Sequence, residues 1–328
     1  MSSTQYDDAI LDSNAIDPTD KNGNPIPVTI PIMLAPGIKV VYTTRLGGTS
    51  EGDFAHFNLG GKSGDKPEHV LANRKALADV LGAKISLISQ VHSGDAVDVD
   101  ESFVINQPFG FDVSGTKKSE DETDGENNAT GNDGEPTVIE ADGQVTSQKN
   151  VALGMFAADC LPVLMADPEA GVIGATIEKM VSKGAQPERI VATLGPCICG
   201  DCYEVGGDIA DEFDAQFPGT FTLSRFGQPG IDIAAAALQE LAKAGVPADN
   251  IVSSRPRVNA ATQYLSEDEE LAGICAADGE GDPKLSERFN KIRRSLCTLE
   301  NPLWFSHRRA SLAKKQHEGR MLALIVRE

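Results

Sequence analysis

The hydrophobic positions of this chain fall into short runs separated by turn residues. Ile38 to Thr44 alternates in the manner of a strand and ends at the turn Arg45-Leu46-Gly47-Gly48. Asp65-Lys66-Pro67-Glu68 predicts a helix start, with Asp65 as cap and Pro67 just inside, where a missing N–H costs nothing. Val70, Leu77 and Leu81 then share one face, and Gly82 closes the helix. Ile85 to Val91 predicts the next strand. Beyond a long polar interval, Val151 to Phe156, Leu161 to Ala166 and Val172 to Ala175 read as short strands punctuated by turns such as Asp167-Pro168. Ile177, Met180 and Val181 give a short helix stopped near Gly184, and Ile190 to Leu194 gives a strand that runs into Gly195-Pro196. Ile233, Ala237, Leu238 and Leu241 mark a further helix ending near Gly245, and Met321 to Val326 is a closing apolar strand. Strands and helices mix without a regular βαβ alternation, so the expected fold is α+β in a single mixed domain.

The polar stretches set the expected boundaries. Residues 1–30 lack periodicity and contain Pro18, Pro25 and Pro27, which predicts a flexible N-terminal arm before a domain at 31–328. Residues 112–136 hold eight acidic residues against Lys117 and Lys118, with Val113 as the one branched apolar side chain. Such a segment cannot bury enough surface to offset its ordering entropy and is expected to be a disordered surface insertion. Residues 255 to about 294, with acid clusters at Glu267 to Glu270 and Asp278 to Asp282, read as a second polar, irregular insertion.

Charge and composition narrow the partners. A formal charge of −20 argues against nucleic-acid binding, whose affinity rests on neutralising phosphates. No run of 18 apolar residues appears, so no membrane span is expected. The acidic, polar stretch from Met1 to Asp20 lacks the apolar core of a secretory signal, and a cytoplasmic monomer is expected. The six cysteines are then free for metal binding, redox chemistry or burial rather than a disulfide framework.

His92 follows one apolar run and Cys160 opens another, and an imidazole with a soft thiolate on separate strand ends supplies two ligands of a zinc site. Catalytic zinc takes three protein ligands and one open position. Cys197-x-Cys199-x-x-Cys202 has metal-compatible spacing; it reads as a thiolate-rich closed site, as a source of a substitute ligand, or as ordinary cysteines beside a turn. Arg45, Arg308 and Arg309 are candidate forks for phosphate or a ribosyl substrate, or solvated surface charge. Asp159 and Glu204 could serve as acid or base or as structural acceptors, and Gln90 could orient His92 or its ligand. His307 sits beside Arg308 and Arg309, whose charges disfavour a nearby cation.

Ordered motifs run along most of the chain: Thr43-Thr44-Arg45-Leu46-Gly47-Gly48, Asn58-Leu59, Gln90-Val91-His92, Ala141-Asp142-Gly143 and Ala158-Asp159-Cys160-Leu161-Pro162-Val163. Gly195-Pro196-Cys197-Ile198, Cys202-Tyr203-Glu204-Val205, Cys297-Thr298, Phe305-Ser306-His307-Arg308-Arg309 and Gly319-Arg320 complete the series. In these the chain resembles the multicopper polyphenol oxidase, laccase-domain (YfiH-like) family. The resemblance implies a zinc-dependent purine nucleoside phosphorylase acting on adenosine, inosine or methylthioadenosine with phosphate, with possible deamination of adenosine. It assigns His92 and Cys160 to the metal, Asp159 and Cys160 to catalysis, and Arg45, Gln90, Arg308 and Arg309 to substrate. Two other expectations stay open: a metal-free Cys160/His92 hydrolase editing peptidoglycan precursors, and an inactive scaffold. Several copper centres are excluded by a supply of five histidines. One departure stands out. The family's His-Ala-Gly-Trp-Arg-Gly segment, source of a third ligand and an arginine, is absent, and Gly174-Ala175 runs directly into Thr176-Ile177.

Overall fold

The computed structural model describes residues 18–100 and 139–328. The acidic stretch 112–136 lies outside the described residues.

Strands β1 (Thr29–Ala35) and β2 (Ile38–Thr43) form an antiparallel hairpin turned at Gly37, which takes a positive φ of 72°. Pro31 is tolerated in β1 because that strand lies at the sheet edge, where a missing donor costs little. The arm expected over 1–30 therefore ends earlier: β1 includes Thr29 and Ile30, and Val28 and Ile30 are buried. The prolines around this segment hide its alternation from a reading of the sequence.

Helix α1 (Pro67–Leu81) has Lys66 at its N-cap position, one residue after the expected cap, and stops at Gly82 in the left-handed conformation. Strands β3 (Lys84–Ser86), β4 (Ala96–Asp98), β5 (Gly143–Thr146), β6 (Val151–Ala157), β7 (Val163–Asp167) and β8 (Val172–Gly174) follow. Helix α2 (Ile177–Ser182) precedes β9 (Val191–Leu194) and α3 (Gly207–Gln216). The hairpin β10 (Phe221–Leu223) and β11 (Pro229–Ile231) leads to α4 (Ile233–Lys243), α5 (Arg255–Tyr264), α6 (Glu269–Ala277), α7 (Leu285–Phe289) and α8 (His307–Leu312). Strand β12 (Met321–Arg327) closes the chain.

Two five-stranded sheets result, in the orders β1-β2-β12-β6-β3 and β4-β5-β8-β7-β9. Each is antiparallel except for one parallel pair, β3–β6 in the first and β4–β5 in the second. The α+β expectation stands. Strand β12 occupies the centre of the first sheet, and its side chains feed two cores alternately. Leu322, Leu324 and Val326 pack with Leu77 and Ala78 of α1, while Met321, Ala323 and Ile325 face a larger core. That larger core takes Leu164, Ala166 and Ile173 from the second sheet and Val258, Ala261, Leu271, Ile274 and Leu285 from α5, α6 and α7. A strand buried on both faces reads as a continuous apolar run, which is why Met321 to Val326 is legible in the sequence.

The stretch 255–294 is a correction. It is not an irregular insertion but three helices that close the main core, and two of its acids, Asp278 and Glu280, are buried partners of arginines. Arg45, with no exposed surface, donates from Nη1 to Asp278 Oδ2 at 3.2 Å and Glu280 Oε2 at 3.4 Å. Arg309 Nε donates to Glu280 Oε2 at 2.6 Å, and Lys315 Nζ to Glu280 Oε1 at 3.0 Å. Arg288 pairs with Asp278 at 2.6 Å. The acid clusters look like solvated charge in the sequence because their cations lie far away along the chain.

Glu280 is the hub. Burial raises its pKa, but Arg309, Arg45 and Lys315 outweigh burial and hold the carboxyl well below the usual range. A depressed pKa contributes stability that is present above the unfolded carboxylate range and lost as pH falls through the folded value. Glu280→Gln should cost about 3 kcal/mol at neutral pH, since three buried cations lose a shared counter-charge. Denaturant unfolding of both proteins against pH checks this: the wild-type advantage should be constant near neutrality and shrink below the ordinary carboxylate range.

Candidate active site

The candidate site is built where the loop after β3 meets the end of β6. Gln90 clasps that strand with both ends of its amide: Phe156 N donates to Oε1 at 2.7 Å, and Nε2 donates to Phe156 O at 3.2 Å. Gln90, expected at substrate, spends its amide on holding the loop against β6. Two residues further, His92 is exposed and takes a φ of 60°. Asp142 holds this turn. Its Oδ2 accepts from Ser93 N at 2.6 Å, Ser93 Oγ at 3.0 Å and Val91 N at 3.2 Å. Burial pushes Asp142 the other way, yet donors from the Ser93 and His92 backbone hold its carboxyl below the usual range.

Cys160 follows β6 and is exposed. Partial burial pushes its thiol up, followed by the Asp159 carboxylate, with Asp142 adding a smaller push and Arg320 opposing. Asp142 therefore links the two expected ligands: it hydrogen-bonds the loop of one and lies within electrostatic reach of the other.

Asp159 has a φ of 104°, and both its carboxylate oxygens are occupied: Oδ1 accepts from Thr298 Oγ1 and Oδ2 from Arg308 N at 2.6 Å. It ties the end of β6 to the start of α8. Arg308 is half-buried, lies 5.5 Å from the centroid of the Tyr203 ring, and donates from Nη2 to Glu204 O at 3.0 Å. Glu204 in turn accepts from Ser224 Oγ. Of the three arginines expected at substrate, only Arg308 is not buried. Arg309 spends its guanidinium on Glu280 and on the carbonyls of Thr298, Leu299 and Trp304, and Arg45 is sealed in the same network. Both are structural, because an exposed fork cannot also be a buried counter-ion. His307 binds Glu318 Oε1 at 2.9 Å, and Glu318 also pairs with Arg320 at 2.6 Å.

The third ligand has no replacement beside His92 and Cys160 among the described residues. Strand β8 passes through Ala175 straight into Thr176, the residue before α2, with Ala175 N bonded to Gln144 O at 3.0 Å. Thr176 Cγ2 lies against Gly143, next to Asp142, and Thr176 Oγ1 is buried with no hydrogen-bond partner. An orphaned hydroxyl marks the place from which the absent segment would have led. His92 and Cys160 without a third converging ligand do not fit a catalytic zinc centre.

Among the described residues, one group of three or more potential ligands converges, and it lies elsewhere. Cys199, Cys202, Cys297 and Glu300 bring their ligand atoms within 4.8 Å of one another and could hold a metal ion. Cys197, the first residue of the expected Cys-x-Cys-x-x-Cys set, is not in the group. Sequence reasoning alone gives no role to Asp142, Thr298, Cys297 or Glu300. Asp142 and Thr298 stand within the ordered motifs, and the i,i+3 spacing of Cys297 and Glu300 is the available signal for the other pair.

The α+β fold with two mixed sheets is that of the laccase-like proteins, and comparison with known proteins shows the family. Residues 39–270 match the family model described as multi-copper polyphenol oxidoreductase laccase, and the chain belongs to that family. It is 33% identical over 238 residues to a purine nucleoside phosphorylase of Corynebacterium glutamicum, covering 67% of this chain and 84% of the relative. A purine nucleoside phosphorylase of Deinococcus radiodurans is 37% identical over 234 residues, covering 66% and 80%. The crystal structure of YlmD from Geobacillus stearothermophilus superposes with a TM-score of 0.62 at 25% identity, over 90% of this chain and 94% of that one.

The positive φ at His92 has a measurable cost. A β-carbon in the left-handed region is disfavoured by ~1 kcal/mol relative to glycine. His92→Gly should therefore be more stable than His92→Ala by about 1 kcal/mol, the reverse of the usual order for these two residues. Chemical denaturation of the two variants reads the difference directly.

Proposed function

We propose that this chain is a phosphorylase-type member of its family, specific for purine nucleosides and phosphate, whose turnover is impaired. The substrate class rests on the relatives' names, and the impairment rests on the direct passage of β8 into α2 through Ala175 and Thr176. Phosphorolysis needs an anion held against the anomeric carbon while positive charge develops on the sugar. Arg308 is the group suited to holding it. Tyr203 and the Glu204 carbonyl fix one edge of its guanidinium, leaving other N–H groups to fork a phosphate. His92 and Cys160 are both exposed, with Asp142 setting the His92 turn. Asp159 is a positioning residue, since its oxygens hold the Arg308 backbone and Thr298.

A two-ligand pair supplies no firm Lewis acid, so adenosine, inosine and methylthioadenosine should all turn over poorly, and deamination of adenosine with them. The test is phosphate-dependent release of free purine, with and without added zinc. The expected rate is at least about a hundredfold below that of a complete relative assayed alongside, the typical consequence of losing one electrostatic group. Inserting a relative's His-Ala-Gly-Trp-Arg-Gly segment and following turn between Ala175 and Thr176 should raise it. Full activity of the chain as it stands would overturn the impairment. No activity in the insertion variant, if folded and zinc-loaded, would overturn the substrate class.

A further inference from the structure

Two segments distant in sequence are laid side by side next to the candidate site. Cys197 and Cys297 face each other in a parallel bridge, with Cys197 N bonded to Leu296 O and Thr298 N to Cys197 O, both at 3.1 Å. From this ladder, Cys199 and Cys202 project off one segment and Cys297 and Glu300 off the other. The Cys199–Cys202 turn is closed by Cys202 N and Tyr203 N, which both donate to Cys199 O, at 2.8 and 2.9 Å. We propose that Cys199, Cys202, Cys297 and Glu300 form a closed structural site for a soft divalent cation, zinc by its chemistry, separate from the His92–Cys160 pair.

The donor set and its surroundings carry this reading. The three thiols are buried, the Glu300 side chain is 1% exposed, and all four ligand atoms lie within 4.8 Å of one another. A tetrahedral zinc with Zn–S bonds of ~2.3 Å needs ligand separations of about 3.8 Å, so a contraction of about an ångström completes the cage. Glu300 is aimed by its other oxygen: Oε2 accepts from Arg293 N at 2.6 Å and Arg294 N at 2.9 Å, which leaves Oε1 turned towards Cys199 and Cys202. Cys199 N donates to Cys297 Sγ at 3.4 Å, the kind of outer bond that steadies a ligating sulfur. Charge is partly offset as well. Three thiolates and a carboxylate around a divalent ion leave an excess of two negative charges. Arg225, 3.2 Å from Glu300 Oε1, offsets one of them, while Arg294, also within electrostatic reach of Cys199, is shared with Asp201 at 3.1 Å.

A buried soft-ligand set with no free position is structural rather than catalytic. Its consequence reaches the site nonetheless, since Tyr203 and Glu204 follow Cys202 directly and hold Arg308, while Thr298 follows Cys297 and holds Asp159. The ion would crosslink the two segments that set the Arg308–Asp159 geometry. Metal content alone would then be a misleading measure of the His92–Cys160 site, because a full complement of zinc could sit at the cysteines.

The test uses the full chain purified under reducing conditions without chelator. Elemental analysis should find about one zinc per chain, and cobalt substitution should give thiolate-to-metal charge-transfer bands with tetrahedral d–d absorption. Cys297→Ser and Cys202→Ser should lose the ion and the bands, whereas the double variant His92→Ala/Cys160→Ser should keep both. Stripping the wild-type protein with chelator should lower its melting temperature by about 5 °C or more, and zinc alone should restore it. This measurement holds even if the serine variants fail to fold. Zinc lost from the His92/Cys160 variant and kept in Cys297→Ser would overturn the proposal. So would a reduced, metal-free protein whose melting temperature zinc does not move, or a disulfide among the three cysteines in the protein as purified.

Discussion

The last strand of the chain is the middle of the first sheet. Strand β12 pairs with β2 on one side and β6 on the other, so residues near position 40 and residues near 155 meet only through residues 321–327. Its alternate side chains are the inner surfaces of two separate cores, one under α1 and one facing the second sheet and α5 to α7. Neither core can close until β12 is in place, which makes the fold strongly non-local. The same strand also carries the site's geometry: it is hydrogen-bonded to β6, whose far end delivers Asp159 and Cys160, and residues 318–320 just before it supply Glu318 and Arg320 to the same neighbourhood.

Buried charge does the rest of the fastening. Arg45 follows the first hairpin, Asp278 and Glu280 follow α6, and Arg309 belongs to α8, so one ionic network ties three remote parts of the chain together. Desolvating such charges is costly and is offset only when their hydrogen bonds are satisfied. Arg309 meets that condition through three backbone carbonyls, and Arg45 meets part of it through the Phe305 ring, whose centroid is 5.1 Å away. Arginines that look like substrate forks in the bare sequence become internal ties once their counter-ions are known. Arg308, next to Arg309 in the chain, is the one left partly exposed.

Two strained residues belong to the candidate site, His92 and Asp159, and each is held by carboxylate chemistry. His92 stays in its left-handed turn because Asp142 collects the surrounding amides, and Asp159 because Thr298 and Arg308 satisfy its oxygens. Such conformations persist where neighbouring structure over-determines them. The apparatus for presenting a histidine and a cysteine is thus kept in a chain that lacks the segment carrying their third companion. Thr176, with its unpartnered hydroxyl beside Gly143, marks the discontinuity.

Much of this is written in local pattern. The continuous apolar run of β12, the capped helices α1 and α4, and the strands β6 to β9 follow from periodicity and from glycine and proline placement, because hydrogen bonding and burial within a single element act over a few residues. The motif order points to the family, and the missing segment is visible as a gap in the sequence itself. Other features are decided only by tertiary structure. Strand β1 is masked by Pro31, whose penalty vanishes at a sheet edge that local sequence does not reveal. Helices α5 to α7 look like a solvated acidic stretch, since nothing nearby in sequence announces that Arg45 and Arg309 neutralise Asp278 and Glu280. The convergence of Cys199 and Cys202 on Cys297 and Glu300 likewise depends on a bridge between segments about a hundred residues apart. A sequence states which charges and ligands exist; which of them meet is fixed by the pairing of distant strands and segments, whose energies no local window contains.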